Sequence, residues 1–466
     1  MQSKNYPRTY LSVKSEYELI QWKKNNEDIF LISCPTRPRS KDLKVNRSAF
    51  DILKLMDGKS DVPTIAKALQ KKYSEKSQVL TSKISAFAKK MVSLGVVESS
   101  NAPKNKKKKI IKIKSNYWLR KLQIEICSRC NLRCKHCYVY EDENKNEIAE
   151  LPTQKIKDII DQGKKMGVEV ISLTGGEPFL REDIFDILTY IENKNMATII
   201  LSNGTLIDPE TAKKLSNFRS IFFAISLDGP KDAHEELRGV NGCFERTLNG
   251  IKNLLSVGLP VRINLMLSRY ALNKSHELIT ILKELGYDKP PRVGIIMDLG
   301  RAQRNDVRIT VKEFYEEYRR YWNAVKEHLG LKRYPVAALK GNNCGIGEDS
   351  LTITSEGNII PCPPLNREPF ILGNIFHDKL QNIWSNSKML KQIRNIDMSK
   401  NKKCRTCKHW EYCKGGCRIS AMLSVGALTA FFDSPNPFAC ARWKAVEDDI
   451  TIVKEPSDAF LMSQLI

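Results

Sequence analysis

Cys130, Cys134 and Cys137 stand within eight residues as C-N-L-R-C-K-H-C, shortly after the apolar run Leu122 to Ile126. Three thiolates this close can each take an iron of one iron–sulfur cluster. Such clusters are normally held by four cysteines, so three from one loop can leave an iron for a small-molecule ligand. Zinc is the alternative. Zinc sites built from cysteine usually pair two short Cys-x2-Cys knuckles, and the Cys-x3-Cys-x2-Cys run matches that spacing poorly. The run also opens a regular pattern. From residue 117 onward, apolar strand candidates recur at Leu122–Ile126, Val168–Leu173, Ala197–Leu201, Ile221–Ile225, Val261–Leu267 and Val293–Met297. Helical patterns lie between them, among them Thr153–Lys165, Glu182–Asn193 and Phe244–Val257. Six βα units predict a parallel α/β sheet, open or partly closed like a barrel. Ligands of such sheets sit at the carboxyl ends of the strands, and the cysteine run falls just after the first one.

The chain has 466 residues and a formal net charge of +23. That balance first suggests a nucleic-acid partner, but most lysines are scattered over amphipathic segments, where they make a solvated face. The dense run K-N-K-K-K-K, residues 104 to 109, reads as part of an extended basic linker over 101–116, because blocks of like charge repel. Thirteen cysteines in a chain this long do not resemble a secreted disulfide framework. Met1 to Tyr10 is polar and basic and lacks a signal pattern. The longest apolar stretch, Ile419 to Phe432, is too short and interrupted to span a bilayer. A cytoplasmic protein, with no membrane partner, is expected.

Residues 1–100 have no clustered cysteines. Phe30–Cys34 and Asp42–Val45 read as short strands, followed by helical patterns at Arg47–Leu55, Val62–Lys72 and Val79–Leu94 and a closing apolar strand, Gly95 to Glu98. This suggests a winged-helix-like module. The phrase D-L-K-V-N-R-S-A-F-D-I-L-K-L-M-D-G-K-S, residues 42 to 60, resembles the PqqD-like domains of enzymes that modify ribosomal peptides. The resemblance implies recognition of a precursor's leader peptide, added as a strand to a sheet edge. The competing reading is a DNA-binding winged helix.

The cysteine triple with its following motifs resembles the radical S-adenosylmethionine (SAM) enzymes, in which the open iron binds the amine and carboxylate of SAM. Gly175, Gly176, Glu177 and Pro178 follow the second strand, where the resemblance implies contact with the SAM amino group. Ser202 and Asn203, ending the third strand, are implied near the ribose, and Ser226, with Arg238, near the carboxylate. His136 and Tyr138 flank Cys137 in a loop the resemblance places under the adenine. Asp228, Ser202 and Arg238 could equally serve turn chemistry or an ion pair. Reductive cleavage of SAM in this family yields a 5′-deoxyadenosyl radical that removes a hydrogen atom from an unactivated carbon.

Residues 335–466 carry Cys344, Cys362, Cys404, Cys407, Cys413, Cys417 and Cys440. Their order resembles the seven-cysteine SPASM extension of radical SAM enzymes; a zinc ribbon is the alternative. The resemblance implies two auxiliary [4Fe–4S] clusters besides the SAM cluster, three in all. One would take Cys404, Cys407, Cys413 and Cys440. The other would take Cys344, Cys362 and Cys417, with a fourth position filled by another group or left open to a substrate thiolate. Cys34, Cys127 and Cys243 are left as structural thiols.

The expected architecture is thus a PqqD-like domain over 1–100, a linker over 101–116, a partial (β/α)6 barrel over 117–334 and a cysteine-rich SPASM domain over 335–466. Together these resemble the thioether-forming (sactipeptide) maturases. The implied reaction joins a cysteine sulfur to a backbone α-carbon of a precursor peptide, with an external electron donor. Three rivals are another peptide crosslink, oxidation of a Ser or Cys in a folded protein, and an iron–sulfur regulator that binds nucleic acid. The intact T-G-G-E-P and paired cysteine motifs argue against the last.

Overall fold

The computed structural model describes residues 9–36, 42–106, 108–139, 150–336, 339, 341 and 343–452. They divide into two units. One comprises the described residues up to 118 together with 164–169, and the other comprises 119–163 and the described residues from 170 onward.

The first unit runs β1 (Tyr10–Val13), β2 (Glu18–Lys24), β3 (Glu27–Ser33), β4 (Leu43–Val45), α1 (Arg47–Leu55), β5 (Asp57–Asp61), α2 (Val62–Tyr73), α3 (Ser77–Ser93), β6 (Val97–Ser100) and β7 (Lys109–Ile113). The helices start where short polar side chains cap them: Asn46 accepts from the Ala49 N–H at 2.9 Å and Asp61 from Thr64 at 3.0 Å. Asn25 and Asn26 take left-handed φ values of 49° and 66°, which closes the two-residue β2–β3 hairpin. β1 pairs antiparallel with both β5 and β6, and a second sheet has the order β4-β3-β2-β7. Successive residues of β2 serve opposite faces. Leu19 packs with Phe30, Phe50, Leu53 and Ile65, while Ile20 packs with Leu31, Ile113 and Trp118. Three helices and a three-stranded sheet stand where the sequence suggested a winged-helix-like module. The strands read at Phe30–Cys34 and Asp42–Val45 are β3 and β4 of the four-stranded sheet; β2 and β7 complete it, and β7 lies inside the segment read as a linker.

The second unit alternates β8 (Lys121–Cys127), α4 (Thr153–Lys165), β9 (Val170–Gly175), α5 (Ile184–Asn193), β10 (Ala197–Ser202), α6 (Pro209–Leu215), β11 (Ile221–Ser226), α7 (Lys231–Arg238), α8 (Cys243–Ser256), β12 (Val261–Leu267), α9 (Glu277–Glu284) and β13 (Arg292–Ile295). β8 to β13 are parallel and pair in sequence order. This is the α/β core of six βα units that the sequence predicts. Ile124, Ile171, Leu173, Ile200, Phe223, Ile225, Ile263 and Leu265 are fully or almost fully buried, as strands covered by helices require. Alternate positions in register are largely polar: Gln123 with Ser172, Glu125 with Thr174, and Ser226 with Asn264.

After α10 (Val311–Leu329), which opens with a Thr310–Glu313 capping box, come β14 (Tyr334–Val336), β15 (Ser350–Ile353), β16 (Asn358–Ile360) and β17 (Gly373–Asn374). β15 pairs in parallel with the outer edge of β8, Ser350 against Lys121 through Ile353 against Ile124. β16 and β17 then continue antiparallel, making a nine-stranded sheet. Short helices carry Cys404, Cys413 and Cys440, and β18 (Ile450–Ile452) pairs with β14. Among the described residues no helix is long and apolar enough to cross a membrane.

Candidate functional site

The carboxyl ends of β8 to β11 gather most of the residues singled out in the sequence. Cys130, Cys134 and Cys137 pack together with Leu132, Val240 and Cys243 in the loop after β8. Burial pushes the Cys130 thiol up to about 12, and the neighbouring sulfurs add to the effect. Thiolates crowded in an apolar pocket repel one another, and iron would supply the opposing charge, so the donor set fits an iron–sulfur cluster. Among the described residues no three His, Cys, Asp or Glu side chains converge tightly enough to hold a single ion. A four-iron cluster asks instead for thiolates set apart, one to an iron.

The two glycines after β9 have a clear steric role. The Gly176 N–H donates to the Cys127 carbonyl at 2.8 Å and the Glu177 N–H to the Arg129 carbonyl at 2.7 Å. A Cβ on Gly176 would lie 1.9 Å from the Arg129 oxygen, and one on Gly175, at φ +148°, would lie 2.1 Å from the Cys127 oxygen. The glycines therefore let the cysteine loop itself come close. Glu177 is completely buried and caps the turn that Pro178 enters. Its carboxylate accepts from Ser202 Oγ and the Asn203 N–H, both at 2.8 Å, tying the end of β9 to the end of β10. Burial pushes this carboxyl up to about 7 despite those donors.

Asn131, between the first two cysteines, was not identified from the sequence. Its Oδ1 accepts from Asn203 Nδ2 at 2.9 Å and its Nδ2 donates to Thr205 Oγ1 at 2.8 Å, so the β10 loop is pinned to the cysteine loop. A side-chain amide, able to donate and accept at once, between two closely spaced cysteines is the signal that could have found it. Across the loop, the Arg133 and Lys135 N–H groups donate to the Arg238 and Leu237 carbonyls at the end of α7. Gly239 ends that helix at φ +69°, where a Cβ would come 2.6 Å from the Arg133 oxygen.

Arg238 is not presented as an open fork. Its Nε and NH2 both reach Asp228 Oδ2 at 2.6 Å, and NH1 donates to the Cys134 sulfur at 3.6 Å. Asp228 is itself completely buried and accepts from the Met266 N–H at 2.9 Å. Arg238 thus links the cysteine loop to β11 and β12 as a counter-charge. Ser226 ends β11 across from Asn264. His136 is half-buried within the loop itself; burial and the nearby Arg238 push its pKa down to about 4, so its ring is neutral. Tyr138 is exposed at the end of the described loop.

Glu125 was also missed. It is a buried carboxyl, 4% exposed, two residues before Cys127 in β8. Burial pushes it up to about 7, although the Ser355 N–H donates to it. An acid in an otherwise apolar strand end was its signal.

The C-terminal cysteines fall into two groups. The Cys362 thiol is pushed well up by burial and then by Cys417 and Cys344. The Cys404 and Cys413 thiols are raised by burial and then by Cys440, and Cys440 by burial with a contribution from Cys407. Each group brings together thiols from distant parts of the chain, and each could hold a cluster. Of the remaining cysteines, Cys34, Cys127 and Cys243 are buried, and Cys127 Sγ donates to the Glu177 carbonyl at 3.5 Å.

Three family models match the chain: the radical SAM superfamily over residues 124–282, an iron–sulfur cluster-binding domain (SPASM) over 344–408, and coenzyme PQQ synthesis protein D over 37–97. Among curated proteins, the mycofactocin maturase MftC of Mycolicibacterium smegmatis is 28% identical over 69% of this chain and 82% of its own. An AdoMet-dependent heme synthase of Methanosarcina barkeri is 28% identical over 65% of this chain and 92% of its own. The antilisterial bacteriocin subtilosin biosynthesis protein AlbA of Bacillus subtilis is 29% identical over 64% and 67%. The crystal structure of Streptococcus suis SuiB bound to S-adenosylmethionine shares the fold, with TM-score 0.63 and 18% identity over 91% of this chain and 99% of that one.

Proposed function

Because the chain is a radical SAM protein with a SPASM iron–sulfur domain and a PqqD-like domain, we propose that it matures a ribosomally made precursor peptide by joining cysteine sulfur to backbone α-carbon. The succession of those three domains in one chain carries this reading. The PqqD-like domain, read as a leader-binding module, speaks for a peptide substrate. The similarity to a subtilosin biosynthesis protein favours a thioether product over other crosslinks.

In this reading Cys130, Cys134 and Cys137 hold the cluster that binds SAM. SAM, when bound there and reduced, supplies an oxidant able to take a hydrogen atom from carbon. The contact residues are Gly175, Gly176, Glu177, Pro178, Ser202, Asn203, Ser226, His136 and Tyr138, with Arg238 balancing charge at Cys134. Glu177 and Asn131 keep the β9 and β10 loops in place without rearrangement. Cys404, Cys407, Cys413 and Cys440 hold one auxiliary cluster; Cys344, Cys362 and Cys417 hold the other. The leader binds the PqqD-like domain, and an external donor supplies electrons. Forming each bridge removes one hydrogen atom from the α-carbon, one proton from the thiol and one further electron, and a cluster held by the C-terminal cysteines would supply the acceptor for that electron.

The test is a mass spectrum of the precursor peptide after anaerobic incubation with reconstituted protein, SAM and a reductant. The expected result is loss of two hydrogens per bridge, formation of 5′-deoxyadenosine and thiols that no longer alkylate. Deoxyadenosine with intact thiols would instead indicate another crosslink or an oxidation. Replacing Cys344 with alanine should abolish bridging while SAM cleavage continues; surviving bridges would remove the role given to its cluster.

A further inference from the structure

Arg418 follows Cys417 directly and is fully buried. Its guanidinium braces three stretches of chain. Nε donates to the Gly416 carbonyl at 3.1 Å and NH2 to the Gly415 carbonyl, in the turn between Cys413 and Cys417. NH1 donates to the Ser434 carbonyl at 2.7 Å and meets the Met398 sulfur at 2.9 Å. Ser434 leads into the Pro437–Ala445 helix that carries Cys440, and Met398 precedes Cys404. Asn436, which caps that helix, donates its own N–H to the Gly415 carbonyl at 3.0 Å, closing the brace.

None of these partners is a carboxylate. A buried charge is tolerated when opposite charge lies close. The turn that this guanidinium grips, Gly415 and Gly416, joins Cys413 of one group to Cys417 of the other, so the opposite charge beside it would be the cluster thiolates of both groups. Neutral hydrogen bonds to carbonyls hold the cation in place but do not neutralise it.

We propose that Arg418 is a fixed positive charge shared by the two auxiliary cluster sites and that it raises the reduction potential of both. The inference rests on assigning the seven C-terminal cysteines to auxiliary clusters. A thiolate-ligated cluster gains negative charge on reduction, and its potential responds to net charge, hydrogen bonding and burial. Buried away from bulk solvent that would screen it, the cation favours the reduced form. Arginine suits the position because its fork satisfies several carbonyls at once and it stays charged when buried. Arg418 is a positioning and tuning residue, outside the reacting atoms.

The test compares reconstituted wild type, R418Q and R418K by iron content and by potentiometry followed with electron paramagnetic resonance. R418Q should shift the reduction equilibrium of both auxiliary clusters tenfold or more toward the oxidised form, about 59 mV for a one-electron couple. The SAM cluster should not shift, and R418K should restore the wild-type potentials. If R418Q cannot hold its auxiliary iron, the proposal requires that R418K hold it at wild-type potentials, because R418K keeps the charge that R418Q removes. Full iron in R418Q with unshifted potentials overturns the proposal. So does a loss of iron or a shift in R418K as large as that in R418Q, which would make Arg418 a brace alone. Wild-type protein that takes up iron for the SAM cluster only would instead refute the cluster assignment itself.

Discussion

Glu177 shows how one side chain can serve the site by holding others. Its carboxylate satisfies Ser202 Oγ and the Asn203 N–H, two buried donors. Glu177→Ala would strand both, at about 1–3 kcal/mol for each buried donor left unmet. We expect SAM affinity to fall at least tenfold by equilibrium dialysis, with Glu177→Gln much milder. The same residue gives a pH signature. With its carboxyl at about 7, the folded chain keeps a proton that an unfolded glutamate releases near pH ~4.3. That contribution to stability is full below the unfolded value and is lost as pH rises toward 7. Wild-type apoprotein should therefore lose thermal stability relative to Glu177→Gln between about pH 5 and 7, read by calorimetry of the two proteins side by side. The T-G-G-E-P motif marked Glu177 in the sequence. Its partners were not marked as such, because a hydrogen bond from β9 to β10 depends on strand register.

At the level of elements, the six core strands were legible because each carries buried Ile, Val, Leu or Phe at strand spacing and is followed by a helical pattern. Ala197–Ser202 and Val261–Leu267 sit within a residue of where the apolar runs place them. β2, β7 and β15 were not legible. β2 mixes Glu18, Gln21 and a terminal pair of lysines with its apolar residues, β7 spaces lysines among isoleucines, and β15 has four residues whose pairing is decided by the distant edge of β8. The turn after β9 yields the prediction of this scale. Gly176→Ala would set a methyl 1.9 Å from the Arg129 oxygen, an atom of backbone that cannot step aside. The cysteine loop would be displaced, and the reconstituted protein should lose about four of about twelve irons. Its auxiliary clusters should remain visible by electron paramagnetic resonance, and SAM cleavage should be absent.

At the scale of the whole chain, domain succession was legible from motifs alone, since cysteine spacing and glycine turns survive where general sequence identity is low. The shared sheet was not legible, because no motif announces β15. The proposed division of labour makes a kinetic prediction. Leader peptide without a core, added in excess, should compete with full-length precursor and slow bridging in proportion to its occupancy. It should leave the uncoupled production of 5′-deoxyadenosine unchanged. Equal inhibition of both reactions would place the leader at the SAM site, against the role assigned to the PqqD-like domain.

The pairing of β15 with β8 also has a consequence during synthesis. One side of β8 finds β9 soon after both leave the ribosome. Its other side waits for Ser350, about 220 residues later. At a translation rate of ~5–20 residues per second, that is roughly ten to forty-five seconds with a row of unpaired amides and carbonyls on a nascent chain. An open sheet edge of this kind invites pairing with other chains. Crowded polysomes should therefore be the point of failure in overproduction, and slowing initiation so that fewer nascent chains coexist should raise soluble yield more than slowing elongation, which lengthens the wait.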